Sequence, residues 1–234
     1  MREIELTAIA WSLVGYVGLQ VLLNVLSMLR HSRAKNKPLN ILVSAFQANV
    51  LNALYFIALA IGLRISGLIE TREPPAGLWL HALIGVPLGF PLWYLLTQAR
   101  KLGLALFGRS DLALAEEAIV RHAPTPRLQS WGVMNLIVIQ PLGHELFMRG
   151  LFLPVVVRHM GWGWGIAATL LVELLLRLNI VWVYQTLVYA LAMLGLFYYS
   201  GAALVGLTAA MTAGAIQAAV LLKQRQLAEV PDVS

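Results

Sequence analysis

The chain contains no cysteine and few charged residues. None of its 234 residues is Cys, and 12% are Asp, Glu, Lys or Arg, whereas an average soluble domain has about 25% charged residues. The absence of cysteine excludes a disulfide bond, a thiolate nucleophile and a thiolate metal site. The low charge, together with 59% hydrophobic residues, is typical of an integral membrane protein rather than a soluble domain with a large core.

The excess of positive charge does not indicate nucleic-acid binding. The formal net charge is +6, but the lysines and arginines stand at the ends of apolar runs, as they do in the cytoplasmic flanks of membrane spans. We therefore expect no nucleic-acid partner, and we expect membrane lipids and other membrane protein subunits as partners. The first apolar run is longer than a signal-peptide core and has no basic region before it, so we interpret it as a retained span.

The apolar runs predict an all-α, polytopic membrane helix bundle of about seven transmembrane helices. A transmembrane helix needs about 20 mostly apolar residues, and the predicted spans cover residues 7–29, 39–63, 77–99, 130–157, 162–178, 180–199 and 202–222. The fourth span is long, and Pro141 and Pro154 offer positions at which it can bend. The fifth and sixth spans are short and could form one broken or re-entrant hairpin.

The distribution of lysine and arginine predicts the orientation and a division into three parts. Most of these residues fall on the inner side if the N-terminus is outside, so the positive-inside rule favours an outer N-terminus and a cytoplasmic C-terminus. We expect three spans and a cytoplasmic amphipathic segment in residues 1–129, a four-helix core in residues 130–222, and a cytoplasmic tail in residues 223–234. Within the amphipathic segment, Glu116, Glu117 and Arg121 are interpreted as a solvated helix face.

Ionisable residues inside predicted spans are the strongest candidates for function. The segment PLGHELFMRGLFLP, residues 141–154, holds His144, Glu145 and Arg149. Glu145 and Arg149 are four residues apart and share a helix face, and Glu173 and Arg177 repeat that spacing. A charge at the centre of a bilayer costs roughly 2.5–3.5 kcal/mol, so both pairs are either internal salt bridges that hold the bundle together or parts of a chemical site.

The His-Glu dipeptide does not complete a zinc motif. The zinc motif HExxH needs a second histidine four residues after the first, and that position is Met148. No metal site is therefore predicted. No cofactor is predicted either. A tetrapyrrole needs only one axial histidine, however, and His31, His81 and His159 lie near span ends, so binding of a tetrapyrrole through one of them stays open as an alternative.

The segment around Glu145 resembles the first motif of the CAAX protease and bacteriocin-processing family (CPBP, or Abi), which consists of multi-span intramembrane endopeptidases. That motif reads roughly P-x-x-E-E-x-x-x-R-G, and Pro141, Glu145, Arg149 and Gly150 match it. GWGWG at 161–165 resembles the start of the next family helix, and YYSGAAL at 198–204 resembles the turn before the last one. The resemblance covers about residues 130–220 and implies a CPBP-like four-helix core in a bacterial inner membrane.

The chain departs from the family pattern in all three motifs. His144 stands where the family has the glutamate that is taken to activate water. The second family motif, F-x-x-x-H, falls near Glu173 and Arg177, and the third, H-x-x-x-N, falls near Ala210 and Gly214. The resemblance therefore implies a catalytically degenerate member, a pseudoenzyme that acts as an accessory, scaffold or partner-binding subunit of a membrane complex.

Two alternatives stay open from the sequence, and with them the question of whether the chain is an enzyme. The first is an active intramembrane endopeptidase, in which His144 is the base, Glu145 or Glu173 orients it, and Arg149 or Arg177 stabilises an oxyanion. The second is a cofactor-binding or lipid-binding membrane subunit.

Overall fold

The computed structural model describes residues 2–32, 37–68, 77–107, 115–176 and 183–229. Almost all of these residues are helical, and no β-strand occurs among them. Arg177 and the last five residues of the predicted tail, 230–234, lie outside the described residues. The described helices are α1 (Arg2–Ser32), α2 (Lys37–Ile65), α3 (Leu78–Phe107), α4 (Ala115–His122), α5 (Pro126–Met134), α6 (Gln140–Phe147), α7 (Leu153–Leu176), α8 (Val183–Ser200) and α9 (Ala203–Glu229).

Five helical segments are long and apolar enough to cross a membrane. They are Glu3–Leu23, Leu42–Ile65, Trp79–Phe107, Pro126–Leu176 and Ala203–Ala228. Large apolar side chains cover much of their outer surface; examples are Val17, Leu22, Leu83, Phe90 and Leu171, each more than half exposed. Such a surface matches lipid rather than water, which is consistent with the predicted helical integral membrane protein.

The segment Pro126–Leu176 is too long for one crossing. Its 51 residues would extend roughly 75 Å as a straight α-helix, whereas the hydrocarbon core is about 30 Å thick. The helical path is interrupted at Gly161, where φ is 82° and ψ is 170°. A residue with a side chain rarely adopts that φ. The predicted boundary between the fourth and fifth spans, residues 158–161, coincides with this interruption.

Two π-helical turns frame the segment that carries His144 and Glu145. They are Asn135–Ile139 before α6 and Met148–Phe152 after it. A π-turn inserts an additional residue into a helix, which rotates the following side chains, and such turns are frequent at functional sites. The second π-turn contains Arg149.

Glycine residues allow the helices around α6 to approach one another closely. A Cβ atom at Gly143 in α6 would overlap the main chain of Ala53 in α2. A Cβ atom at Gly214 in α9 would likewise overlap the Leu136 carbonyl oxygen, and one at Gly85 in α3 would overlap Thr208 in α9. Small residues at helix crossings are the usual means of close packing in membranes.

The interpretation of Glu117 as part of a solvated helix face is wrong. Helix α4 packs against α2, α5 and α9, and Ile119 and Val120 are fully buried. Glu117 is buried with them and forms an ion pair of 2.5 Å with Arg100 of α3. The Gln217 side chain in α9 donates a further hydrogen bond to its carboxylate, at 2.9 Å. The neighbouring helices, which the local sequence does not reveal, cover this carboxylate.

Candidate functional site

The candidate residues His144, Glu145, Arg149 and Glu173 meet inside the bundle. His144 and Glu145 come from α6, Arg149 from the following π-turn, and Glu173 from α7. Glu145 and Glu173 are 0% exposed, Arg149 is 1% exposed and His144 is 8% exposed. Ionisable groups are almost never buried so completely unless they are paired.

Arg149 lies between the two buried carboxylates. Its Nη1 atom is 2.5 Å from Glu173 Oε1 and 3.3 Å from Glu145 Oε1. Its Nη2 atom faces the Ala190 carbonyl oxygen in α8 at 3.5 Å. The pairing of Glu145 with Arg149, predicted from their spacing, is thus present, and Arg149 also connects π-turn, α7 and α8.

Glu173 takes its partners from other parts of the chain. Its Oε2 atom accepts a hydrogen bond from the His144 imidazole, with 2.8 Å between Nε2 and Oε2. Its other oxygen is paired with Arg149. Arg177, which was predicted to pair with Glu173, lies outside the described residues. The carboxylate that would orient His144 is therefore Glu173 rather than Glu145.

Sequence reasoning missed Tyr189 in α8. Its hydroxyl donates a hydrogen bond of 2.6 Å to Glu145 Oε1. Its ring lies edge-on to the His144 ring, with 5.6 Å between centroids, and 5.7 Å from the Arg149 guanidinium carbon, within cation–π range. A tyrosine in an apolar helix has the same sequence pattern as an ordinary core residue, so the sequence does not indicate that Tyr189 contacts the charged residues. We use the term buried ionic network for five residues: His144, Glu145, Arg149, Glu173 and Tyr189.

Helix α9 brings backbone rather than a polar side chain to the network. A Cβ atom at Gly206 would lie 3.2 Å from Glu145 Oε2 and 3.2 Å from the Met193 sulfur. Ala210, near which the third family motif falls, is buried, and Gly214 packs against the main chain of the first π-turn. The close contact of α9 with the network thus depends on small residues.

The net charge of the network depends on His144. If both carboxylates are ionised, Glu145 and Glu173 place two negative charges against the one positive charge of Arg149, so a positive imidazole makes the cluster neutral and a neutral imidazole leaves one negative charge. Burying an uncompensated charge costs several kcal/mol. His144 and Tyr189 each retain 8% exposure, so their edge is the part of the network nearest to the surface.

The other candidate histidines have different surroundings. His159 Nε2 is 2.7 Å from Glu5 Oε2, and Arg158 Nη1 is 3.1 Å from the other Glu5 oxygen, so this group links α7 to α1. His81 Nδ1 is 3.1 Å from the Gly77 carbonyl oxygen. The His31 side chain lies outside the described part. Among the described residues, no group of three or more His, Cys, Asp or Glu side chains has a geometry that could hold a metal ion.

The described residues form a helical bundle with five segments long and apolar enough to cross a membrane, as expected of an integral membrane protein, and with a buried His-Glu-Arg-Glu-Tyr cluster. No protein-family model, curated protein or solved structure matches the chain.

Proposed function

We propose that the chain is a divergent CPBP-like membrane protein whose buried ionic network is architectural, and that it acts as an accessory, scaffold or partner-binding subunit of a membrane complex. The observation that carries this proposal is the internal pairing of the network. Arg149 is 1% exposed and lies against both carboxylates. A guanidinium held in this way has no face turned toward a substrate.

The helices that the network joins support the same proposal. Glu173, Arg149 and Tyr189 attach α7, the π-turn and α8 to one another. Such contacts select one arrangement among the many that apolar helices allow. A partner-binding subunit needs a bundle with one fixed arrangement, because its outer surface must present the same groups at every encounter.

We also propose that this bundle crosses the membrane seven times, with the N-terminus outside and the C-terminus in the cytoplasm of a bacterial cell. The five apolar segments support this number if Pro126–Leu176 contains two crossings that meet at Gly161. Helix α8, with 18 residues, would supply the remaining crossing.

Replacing one carboxylate of the network tests the architectural role. Breaking a buried ion pair by removing one partner costs about 3–5 kcal/mol, so Glu145→Gln and Glu173→Gln should lower the thermal unfolding temperature of the purified protein in mild detergent by several degrees. Glu3→Gln is the matched control, because Glu3 is exposed. Equal unfolding temperatures for all three variants and the native chain would refute the architectural role.

The partner-binding role needs a separate measurement. The tagged protein, expressed at its native level, should co-purify with one membrane protein in a constant ratio, and Glu145→Gln should reduce that ratio more than Glu3→Gln does. A protein that elutes alone at every detergent concentration tested speaks against an accessory subunit.

A second candidate function, intramembrane peptide hydrolysis, rests on the contact between His144 and Glu173. In the family that the chain resembles, a glutamate of the first motif and a histidine of the second are expected to act on water. In this chain the histidine is on α6 and the glutamate on α7, and the two side chains are 2.8 Å apart. A carboxylate that orients an imidazole is a common arrangement for a general base.

Cleavage and stability distinguish the two candidates. If His144 is a base, His144→Gln should abolish cleavage of co-expressed membrane substrates, detected as new N-termini in the membrane fraction, while the variant unfolds near the native temperature. If the network is architectural, the profile of N-termini is the same with the native chain, with His144→Gln and without the protein.

A further inference from the structure

Four buried polar atoms around the network have no hydrogen-bond partner. They are Glu145 Oε2, Arg149 Nε, Thr169 Oγ1 and Thr186 Oγ1. Leaving a buried polar group unsatisfied costs about 1–3 kcal/mol, and native proteins contain few such groups. Four such atoms around one network therefore indicate a shared hydrogen-bond partner rather than four separate unsatisfied groups.

The two threonines differ from other hydroxyl residues in the described helices. Ser12, Thr97 and Thr208 donate their hydroxyl hydrogen to the carbonyl oxygen four residues earlier in the same helix, which is the usual bond for a helical hydroxyl. Thr169 and Thr186 make no such bond, although they are 0% and 1% exposed. Their hydroxyls are thus available to a partner inside the bundle.

The threonines lie at the borders of the network. Thr169 precedes Glu173 by one turn of α7, and Thr186 precedes Ala190, whose carbonyl faces Arg149, by one turn of α8. Residues four apart share a helix face. Thr169 therefore shares a face of α7 with Glu173, and Thr186 shares a face of α8 with Ala190.

The chemistry of the four atoms fits water. A carboxylate oxygen needs a donor, a guanidinium N–H needs an acceptor, and each threonine hydroxyl can be either. A water molecule supplies two donors and two acceptor positions, and a buried water makes about three hydrogen bonds. A water molecule adds no net charge to the buried network, whereas an ion would.

We infer that Thr169 and Thr186 hold internal water that bridges to Glu145 and Arg149, so the buried ionic network is a hydrated polar core. The most exposed residues of this core are His144 and Tyr189, each 8% exposed. This inference concerns the same network as the proposed function and deepens it. A hydrated core allows charged groups at this depth, because water takes up the hydrogen bonds that the protein leaves open.

Two buried methionines allow a test within the same chain. Met193 and Met148 are both 0% exposed and both belong to apolar clusters. They differ in that the Met193 sulfur and Glu145 Oε2 would each lie 3.2 Å from a Cβ atom at Gly206, whereas Met148 packs with Phe147 and Phe152. Radiolysis of the intact protein in detergent produces hydroxyl radicals from bound water in place. Oxidation of Met193 should therefore be several-fold faster than oxidation of Met148.

Isosteric substitutions test whether the threonine hydroxyls hold the water that causes oxidation of Met193. Thr169→Val with Thr186→Val removes both hydroxyls and keeps the shape, so oxidation of Met193 should fall to the rate of Met148. The matched control, Thr169→Ser with Thr186→Ser, keeps both hydroxyls and should preserve the fast rate. If the double valine variant does not fold, the two single valine variants are compared with their serine counterparts, and each should slow Met193 oxidation.

Two results would overturn the inference. One is equal, slow oxidation of Met193 and Met148 in the native chain. The other is fast oxidation of Met193 that persists in folded valine variants, because the water beside Glu145 would then not depend on the threonines. Neither result bears on the stability of the Glu145→Gln variant, so failure of this inference is distinguishable from failure of the architectural role.

Discussion

At the scale of single residues, the ion-pair partners of the buried Glu173 carboxylate differ from the one that its sequence spacing predicts. Its spacing predicted a pair with Arg177, yet within the described residues it contacts Arg149 and His144, which precede it by more than twenty positions. Glu145 keeps the predicted partner Arg149 and gains Tyr189. The i,i+4 rule describes which side chains are neighbours on one helix, and in a bundle the facing helix competes for the same charge.

Removing the Tyr189 hydroxyl tests its contribution to the network. Tyr189→Phe keeps the ring against His144 but deprives Glu145 of a donor at 2.6 Å. A hydrogen bond to a charged group contributes about 1.5–3 kcal/mol, so the variant should unfold at a lower temperature in mild detergent. Tyr199→Phe is the control, because Tyr199 is 89% exposed. Equal losses for the two variants would mean that the hydroxyl does not support Glu145.

At the scale of helices, the π-turn Met148–Phe152 and the glycines set the position of the network. The turn carries Arg149, and the Gly150 carbonyl within it accepts a hydrogen bond of 3.1 Å from Arg64 Nη2 of α2. Gly143 brings α6 against Ala53, and Gly206 brings α9 against Glu145. The helices therefore approach closely on two sides of the charged residues, which limits how far the network can move.

Adding one methyl group at a glycine tests this packing. At Gly143 a Cβ atom would overlap the main chain of Ala53, whereas at Gly195 in α8 no atom of a neighbouring residue lies within 4 Å. Gly143→Ala should therefore destabilise the protein by about 1–3 kcal/mol through overpacking, and Gly195→Ala should be neutral or stabilise it by up to about 1 kcal/mol through helix propensity. Thermal unfolding in detergent measures both, and a stable Gly143→Ala variant would contradict the close contact.

At the scale of the whole molecule, Gly161 determines how many crossings the chain makes. With a turn there, Pro126–Leu176 leaves and re-enters the membrane; without one, its 51 residues exceed the bilayer thickness. The link from Glu5 to Arg158 and His159 ties this turn to the beginning of α1. The proposed seven crossings require two crossings within Pro126–Leu176 that meet at this position.

The absence of cysteine makes this topology directly measurable. Single cysteines at Ser66, Met160 and Leu227, all of which are exposed, can be labelled with a maleimide that does not cross membranes. Ser66→Cys and Met160→Cys should react in intact cells, and Leu227→Cys only after permeabilisation. Ser66→Cys and Leu227→Cys test the orientation. Met160→Cys that reacts only from the cytoplasmic side, or from neither side, would contradict seven crossings.

The sequence by itself determined the elements and the candidate charges. Long apolar runs separated by basic flanks predict membrane helices, because the backbone in lipid must satisfy its own hydrogen bonds. The predicted spans 7–29 and 39–63 lie within helices α1 and α2, and the spans 77–99 and 202–222 lie within α3 and α9 except for their first residue. His144, Glu145, Arg149 and Glu173 were recognisable because charges are rare in such runs.

Only the tertiary structure decided which of these charges meet. The contact of Glu173 with His144, the hydrogen bond from Tyr189, and the burial of Glu117 all join residues that are far apart in sequence. No periodicity within one helix specifies which helix packs against it. That choice depends on where glycines permit close approach and on which buried charge finds an opposite charge, and both are properties of the assembled bundle.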